Sequence, residues 1–401
     1  MTRTAGVDWA SEEHELCVVD EGAVIGRRAV PNDEAGLVSL CRELVERGVE
    51  RVAIERPDGV LVERLLEAGL EVIAIHPNQL KAARARYSVA HGKSDPFDAF
   101  VLAELARTDA HRFRAIRPDS DETKALRALT RAREDLVEVR VCLANQLRAQ
   151  LQAFWPGALI FADVDSPISL AFLERYPCPD DARGLGPKRL GAFLVRHGYS
   201  GRKPPDELLA RLRGAATGTA GGAEREARRA AVLGLVAALR PLVEQIAKLS
   251  SQIRGALAEH PDAAIFAPLF RDRKTVICPA TLIAELGDSR ERYPTDAALA
   301  ADGGQSPVAV ESGKRRVATF RRACDKRLRG AIATLADSTR HWHPWAREVY
   351  LGARARGQDH PHAIRTLGRA WVRVLWRCWQ DGVPYEPALH GNLRRLQTDG
   401  G

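Results

Sequence analysis

Arg3-Thr-Ala-Gly-Val-Asp-Trp-Ala10 is a short apolar run that ends on a single carboxylate, Asp8. Later carboxylates answer it: Glu55 closes Val52-Ala-Ile-Glu55, and Asp95 and Asp98 stand three apart in Lys93-Ser-Asp-Pro-Phe-Asp98. Around Asp8 the pattern reads as strands, Ala5–Asp8, Glu15–Asp20 and Ala23–Ile25, with Glu21-Gly22 as a hairpin turn. Pro31-Asn-Asp-Glu34 carries capping residues and opens an amphipathic helix with Leu37, Leu40, Leu44 and Val45 on one face. Strands follow at 49–55 and 71–76 and helices at 61–68, 81–86 and from near Pro96 to Thr108. Three hairpin strands followed by alternating helix and strand describe an α/β domain with a mixed sheet.

In such a sheet, with the first and fourth strands as neighbours, Asp8 and Glu55 end adjacent strands. Asp95 and Asp98 share one face at a helix start. Clustered carboxylates repel unless a cation offsets them, and hard oxygen ligands favour magnesium or manganese. Two such ions about 4 Å apart can clamp the attacking and leaving oxygens of a phosphodiester. Taken singly, each acid has a plainer role: Asp8 caps a strand end, Glu55 sits in a turn, and Asp95 caps a helix ahead of Pro96. Actin-like ATPases and sugar kinases also open with a Gly-x-Asp strand end, but their later Asp-x-Gly-x-Gly loop and Gly-Gly clamp are missing here.

Beyond this domain, 119–154 reads as one long helix with Leu129, Leu136 and Leu143 seven apart, and 224–259 as a second, with a heptad seam interrupted by Pro241. Two such helices pack most simply as an antiparallel arm, and a dimerisation element or spacer is the alternative. Between them lie a Pro/Gly-punctuated stretch at 156–205, with a short helix at 188–197, and a flexible linker at 214–222. The division expected is therefore 1–115, 116–260 and a mostly helical 261–401.

At 401 residues the chain can bury more than one core, and its 45% apolar content is that of a soluble protein. No apolar run of about 18 residues and no charged-then-apolar leader is apparent, so no membrane partner and a cytoplasmic location are expected. The seven cysteines show no Cys-x-x-Cys spacing and read as small buried hydrophobes. Net charge is +8, yet residues 1–60 carry 13 acids and 7 bases, so the remainder carries +14. An acidic head on an arginine-rich body implies a polyanionic partner. Arginine-favouring codons would explain the total, though not the clustering.

That clustering is densest after Gly303-Gly-Gln-Ser-Pro307: between Lys314 and Arg329 there are eight basic residues and one acid, Asp325. Ser312 is followed by Gly313 and three cations, and a serine among phosphate-holding cations can act as a nucleophile on DNA. On residue chemistry alone, a helix N-cap ahead of a basic helix is the stronger reading, because no general base is adjacent. His341 and His343 read as packed aromatic-rich surface. Thr275–Gly287 resembles half of a helix-hairpin-helix, with a core helix equally open.

Taken together, the quartet Asp8, Glu55, Asp95 and Asp98, the long-helix spacer, Ala284-Glu-Leu-Gly-Asp288, Ser312-Gly-Lys314 and Arg322-Ala-Cys-Asp-Lys-Arg-Leu328 resemble the DEDD transposases of bacterial insertion sequences, the insertion-sequence one-ten family. The resemblance spans nearly the whole chain, least in 156–223. It implies an RuvC-like domain of RNase H fold, a coiled-coil segment and a C-terminal transposase domain. The implied activity is that of a recombinase that exchanges DNA strands through a covalent serine–DNA link, guided by a structured non-coding RNA and working as a homo-oligomer, a dimer or tetramer. By carry-over, Asp8, Glu55, Asp95 and Asp98 hold Mg2+ (or Mn2+), and Ser312 is the nucleophile with Ser306 as the fallback. Lys314, Arg315, Arg316, Arg321, Arg322, Lys326 and Arg327 are the expected nucleic-acid contacts. The sequence departs from the family pattern at Ile277-Cys-Pro279 and Gly303–Pro307. The alternatives are an RuvC-like nuclease that uses activated water and a catalytically dead nucleic-acid-binding derivative.

Overall fold

The structure is a computed structural model; it describes residues 3–88, 94–216, 218, 221–272, 275–312 and 315–390. Two compact units share the chain, 1–120 with 289–292, and 121–288 with 293–401.

The first unit is the mixed sheet. Its elements are β1 (Arg3–Asp8), β2 (Glu13–Asp20), β3 (Ala23–Pro31), α1 (Glu34–Glu46), β4 (Val49–Ile54), α2 (Val60–Glu67), β5 (Glu71–Ala74), α3 (Pro77–Tyr87) and α4 (Asp95–Thr108). The strand order is β3-β2-β1-β4-β5, with β2 antiparallel to its neighbours and β1, β4 and β5 parallel, which is the RNase H-type arrangement. The β2–β3 turn uses a positive φ at both Glu21 and Gly22, the type that matches strand twist in a tight hairpin. Burial on both faces explains why β1 and β4 read as nearly continuous apolar runs. Val7, Val18, Val52, Ile54 and Val72 join Leu37, Leu40 and Leu44 of α1 on one face. Ala53 and Ile73 join Leu80 of α3 and Val101 and Leu102 of α4 on the other.

The second unit is helical apart from one hairpin. It comprises α5 (Asp121–Phe154), α6 (Pro167–Arg175), α7 (Pro187–Arg196), α8 (Pro205–Gly214), α9 (Gly222–Glu259), α10 (Ala263–Phe266), α11 (Ile277–Leu286), α12 (Asp296–Asp302), β6 (Val308–Ser312), β7 (Arg315–Thr319), α13 (Lys326–Thr339), α14 (Pro344–Ala355) and α15 (His360–Asp381). α5 and α9 run antiparallel: Leu126 near the start of α5 shares a core with Ile253 near the end of α9, and Leu147 and Leu151 share another with Val232, Val236 and Leu239. α9 is not split at Pro241, whose missing N–H would have bonded the carbonyl of Ala237 on the exposed side of the helix, where water can reach it. Among the described residues α9 alone is long and apolar enough to cross a membrane by length and composition; 22% of its most apolar window is buried, and the buried row of the helix is Val232, Val236, Leu239, Ile246 and Ile253.

Three expectations change, and for α11 one of two open readings is decided. The stretch 156–205 holds α6 as well as α7, and α8 follows at once; each starts with proline in its first turn, where a missing N–H costs nothing. Ser312 is not a helix N-cap: it ends a strand that pairs with β7, and the basic helix begins at Lys326 behind the cap of Asp325, whose carboxylate accepts from the N–H of Arg327 and of Leu328. α11 is a core helix, buried from Cys278 to Leu286 apart from Thr281. His343 is core rather than surface, 3% exposed, capping α14 and hydrogen-bonded to the Tyr385 hydroxyl.

Candidate acidic and nucleic-acid-binding sites

The acidic site is assembled by the packing of α4 on β1. A Cβ on Gly6 would stand 2.0 Å from the Ala99 carbonyl and 2.5 Å from the Ala103 nitrogen, so the helix lies directly on the strand, and only glycine permits it. Thr4 fixes the same approach, its hydroxyl donating to the Ala103 carbonyl at 3.0 Å. This seat delivers the first turn of α4 to the end of β1. Ser94 caps that turn, and Asp95 and Asp98 fall within it, where the helix dipole favours negative charge.

Register does the rest. Gly6 pairs with Ala53 and Val7 with Ile54, so the next step along the parallel pair sets Glu55 beside Asp8. Ile54 faces the α1 side and Ala53 the α4 side, so alternation turns Glu55 toward α4, like Asp8. Asp8, Glu55, Asp95 and Asp98 line one cleft of about 390 Å³ together with Trp9, Asn78, Lys81 and Arg84. Four carboxylates against two cations leave a net of −2.

Arg84 was not read from the sequence. From α3 it grips Asp98 with both prongs, Nε to Oδ1 at 2.5 Å and a terminal nitrogen to Oδ2 at 2.6 Å. Asp98 is 2% exposed. The hydrogen bonds that Arg84 donates to Asp98, together with the fields of Asp98, Glu55 and Asp8, outweigh burial and raise the pKa of the Arg84 guanidinium above its usual value. The sequence signal was slight: Lys81 and Arg84 three apart on a Pro77-started helix. Glu15, opposite Asp8 across the β1–β2 pair, has its carboxyl raised by burial and then by Asp95 and Glu13, so the negative field extends beyond the four. At the rim the Trp9 ring, partly exposed, carries the Arg56 guanidinium 4.3 Å from its centre.

The donor set fits a hard divalent ion by chemistry, being all oxygen with a net charge a dication would offset. In the present arrangement Arg84 engages both oxygens of Asp98, and among the described residues no three carboxylate, histidine or cysteine groups lie close enough to hold an ion.

The basic cluster lies in the second unit. Ser312 and Arg315 face each other at the turn end of the β6–β7 hairpin, and Arg316 pairs with Glu311; for residues 312, 315 and 316 the backbone alone is described. Lys93, Gly313 and Lys314 lie outside the described residues. Arg322 and Lys326 are exposed, and Arg321 donates from Nε to the Ser306 carbonyl at 3.0 Å. Arg327 is already engaged, donating to Glu134 at 3.0 Å and to Asp135 at 2.6 Å.

Comparison with known proteins bears on both regions. A DEDD-type IS110 transposase model matches residues 5–156, and a model described as transposase of the IS116/IS110/IS902 family matches residues 276–351. A mini-circle protein of Streptomyces coelicolor, described as a transposase for IS117, is 31% identical over 95% of this chain and 94% of its own length. An insertion element IS116 protein of Streptomyces clavuligerus is 28% identical over 96% of each chain. Thermus thermophilus RuvC, solved with a Holliday junction, superposes with a TM-score of 0.24 at 19% identity, covering 29% of this chain and 99% of its own.

Proposed function

The chain belongs to the IS116/IS110/IS902 transposase family, and from that premise we propose that its acidic cleft and Ser312 together carry out DNA strand exchange. The observation that carries the reading is the single cleft lined by Asp8, Glu55, Asp95 and Asp98. Those four residues would hold Mg2+, or Mn2+, which when bound supplies Lewis-acid stabilisation of phosphate charge. The chain's own contribution is to orient the acids by the α4–β1 seat and to offset part of their charge with Arg84 and Lys81.

In the covalent step the Ser312 hydroxyl oxygen bonds to phosphorus as the bond to one strand oxygen breaks, and the proton passes to that departing oxygen. The resulting serine–DNA diester is then attacked by a hydroxyl of the second strand, which restores Ser312 and joins the strands. Ser312 suits this role because it stands at the turn end of a hairpin amid basic sequence. Arg315, Arg316, Arg321, Arg322, Lys326 and the sequence neighbour Lys314 are the proposed phosphate contacts, and Arg327 joins them only by leaving Glu134 and Asp135. The net +14 outside the first 60 residues supports an additional RNA partner, the guide that pairs with element and target DNA. Exchange cuts and joins strands of two duplexes, which supports a dimer or tetramer.

Strand exchange between duplexes carrying element ends, in the presence of the flanking non-coding RNA, tests the proposal. Asp8→Asn and Ser312→Ala should each lose at least about 100-fold of joined product; full activity in either removes that residue from the mechanism. A second reading, hydrolysis of DNA at the acidic cleft by water, is favoured by the confinement of all four carboxylates to one unit. Nicked but never joined product from Ser312→Ala would select it.

A further inference from the structure

A second cleft, of about 410 Å³, opens at the foot of the β6–β7 hairpin within the second unit. Its walls are the loop Gly304–Pro307, the chain from Ala318 to Arg321 as it leaves β7, and one face of α15 carrying His362, Arg365, Thr366 and Arg369. Three arginines and a histidine line it, and no aspartate or glutamate does. Arg369 is answered by Asp296 at 2.8 Å. Arg321 and Arg365 have no carboxylate partner among the described residues, and the one hydrogen bond from the Arg321 fork runs to the Ser306 carbonyl. Two guanidinium groups held without an anion repel each other and leave their donors to solvent, an arrangement that an anionic ligand relieves.

The cleft also holds an aromatic ring. Phe320 is 46% exposed, a large apolar surface to leave in water. The guanidinium of Arg365 lies 5.1 Å from the ring centre and that of Arg329 5.3 Å. Both guanidinium groups lie over the ring, so an incoming base takes the place of one of them on the ring face, and the displaced group donates to the phosphate. A cleft of this size falls in the range of small-ligand sites, about 300–1,000 Å³. A duplex phosphate would satisfy the arginines but leave Phe320 idle, because paired bases hide their faces in the stack.

We propose that this cleft is a subsite for one unpaired nucleotide, whose phosphate is held by Arg321 and Arg365 and whose base stacks on Phe320. It rests on the reading of the second unit as the part that handles nucleic acid, and adds to it a site for a single-stranded segment. The ligand chemistry, a phosphate with a free base face, is common to a displaced DNA strand and to an RNA loop.

The test is titration of the full chain with fluorescent single-stranded 20-mers, DNA and RNA of one sequence, and with the corresponding DNA duplex. Phe320→Ala should weaken single-strand binding roughly 5- to 150-fold, the range of base–aromatic stacking, and leave duplex binding and the salt slope unchanged. Phe320→Trp should restore or tighten it, which a merely structural defect would not. Arg365→Ala should reduce the salt slope by about 0.7, one single-strand phosphate. A loss seen with DNA, with RNA or with both supports the subsite and names the strand it holds. Wild-type single-strand binding that Phe320→Ala leaves intact, or a loss shared equally by duplex, overturns the subsite alone. Failure of the wild type to bind any of the three overturns the wider reading as well.

Discussion

Replacing Arg84 by methionine removes one half of an ion pair whose other half, Asp98, is 2% exposed. The arginine stem is largely covered too, with 17% of its side chain exposed, so solvent screening is weak. Methionine preserves most of the packing, and the loss is that of two charge-assisted hydrogen bonds plus the stranding of a buried carboxylate beside Asp8, Glu55 and Asp95. Breaking a buried pair from one side costs about 3–5 kcal/mol, more than any exposed pair would. For a unit of this size that corresponds to a fall of roughly 10–20 °C in melting temperature. Differential scanning calorimetry of the chelator-treated protein resolves such a change, since it should appear in one of two transitions if the units melt separately. Adding Asp98→Asn to Arg84→Met removes the stranded charge and should recover at least half of the loss, a coupling that the double-mutant cycle measures directly. Magnesium at millimolar concentration should also stabilise Arg84→Met more than the wild type, because a dication then replaces the lost positive charge. A loss below about 1 kcal/mol, or no recovery in the double variant, would refute the view that Arg84 holds the acidic cleft together.

Two further outcomes follow from the packing. Gly6→Ala places a methyl 2.0 Å from a backbone carbonyl that cannot move without lifting α4, so it should cost about 3 kcal/mol or more in chemical denaturation; a loss under 1 kcal/mol would mean the helix is not seated on β1. His343 is buried and its pKa is lowered to about 4, chiefly by burial and then by His390. The unfolded chain therefore binds a proton near pH 6.5 that the folded chain refuses until about 4, so stability is full above pH 6.5 and declines as the pH falls toward 4. The decline should be about 2 kcal/mol, read by urea melts at pH 7 and pH 4.5, and His343→Asn, which can still cap α14, should flatten it.

Much of the first unit was legible because its signals are local. Alternation and turn residues place β1 to β5 and the capping residue Asp33 places α1, whereas the cap of α4 is Ser94 and Asp95, read as that cap, is the first residue of the helix. The position of the four acids follows from strand ends and one helix start, features a sequence displays. Arg84 was not legible, because a counter-ion supplied from a neighbouring helix has no sequence spacing to announce it. The hairpin at 308–319 was missed for a different reason. Val308-Ala-Val310 and Val317-Ala-Thr319 alternate as strands do, but serine, glycine and a basic run between them also resemble a helix start. α6 and α8 were hidden by prolines that read as breakers and act as first-turn residues. Phe320 gains its meaning only from Arg365 on α15, 45 residues later in the chain.

The account turns on Ser312 as the point of covalent attachment. Incubating the protein with element-end DNA, digesting the trapped adduct with nuclease and protease, and locating the nucleotide mass by tandem mass spectrometry tests this directly. The account predicts a nucleotide on the peptide at Ser312, absent from Ser312→Ala and from Asp8→Asn. A nucleotide on Ser306, or strand exchange that proceeds without any adduct, would contradict it.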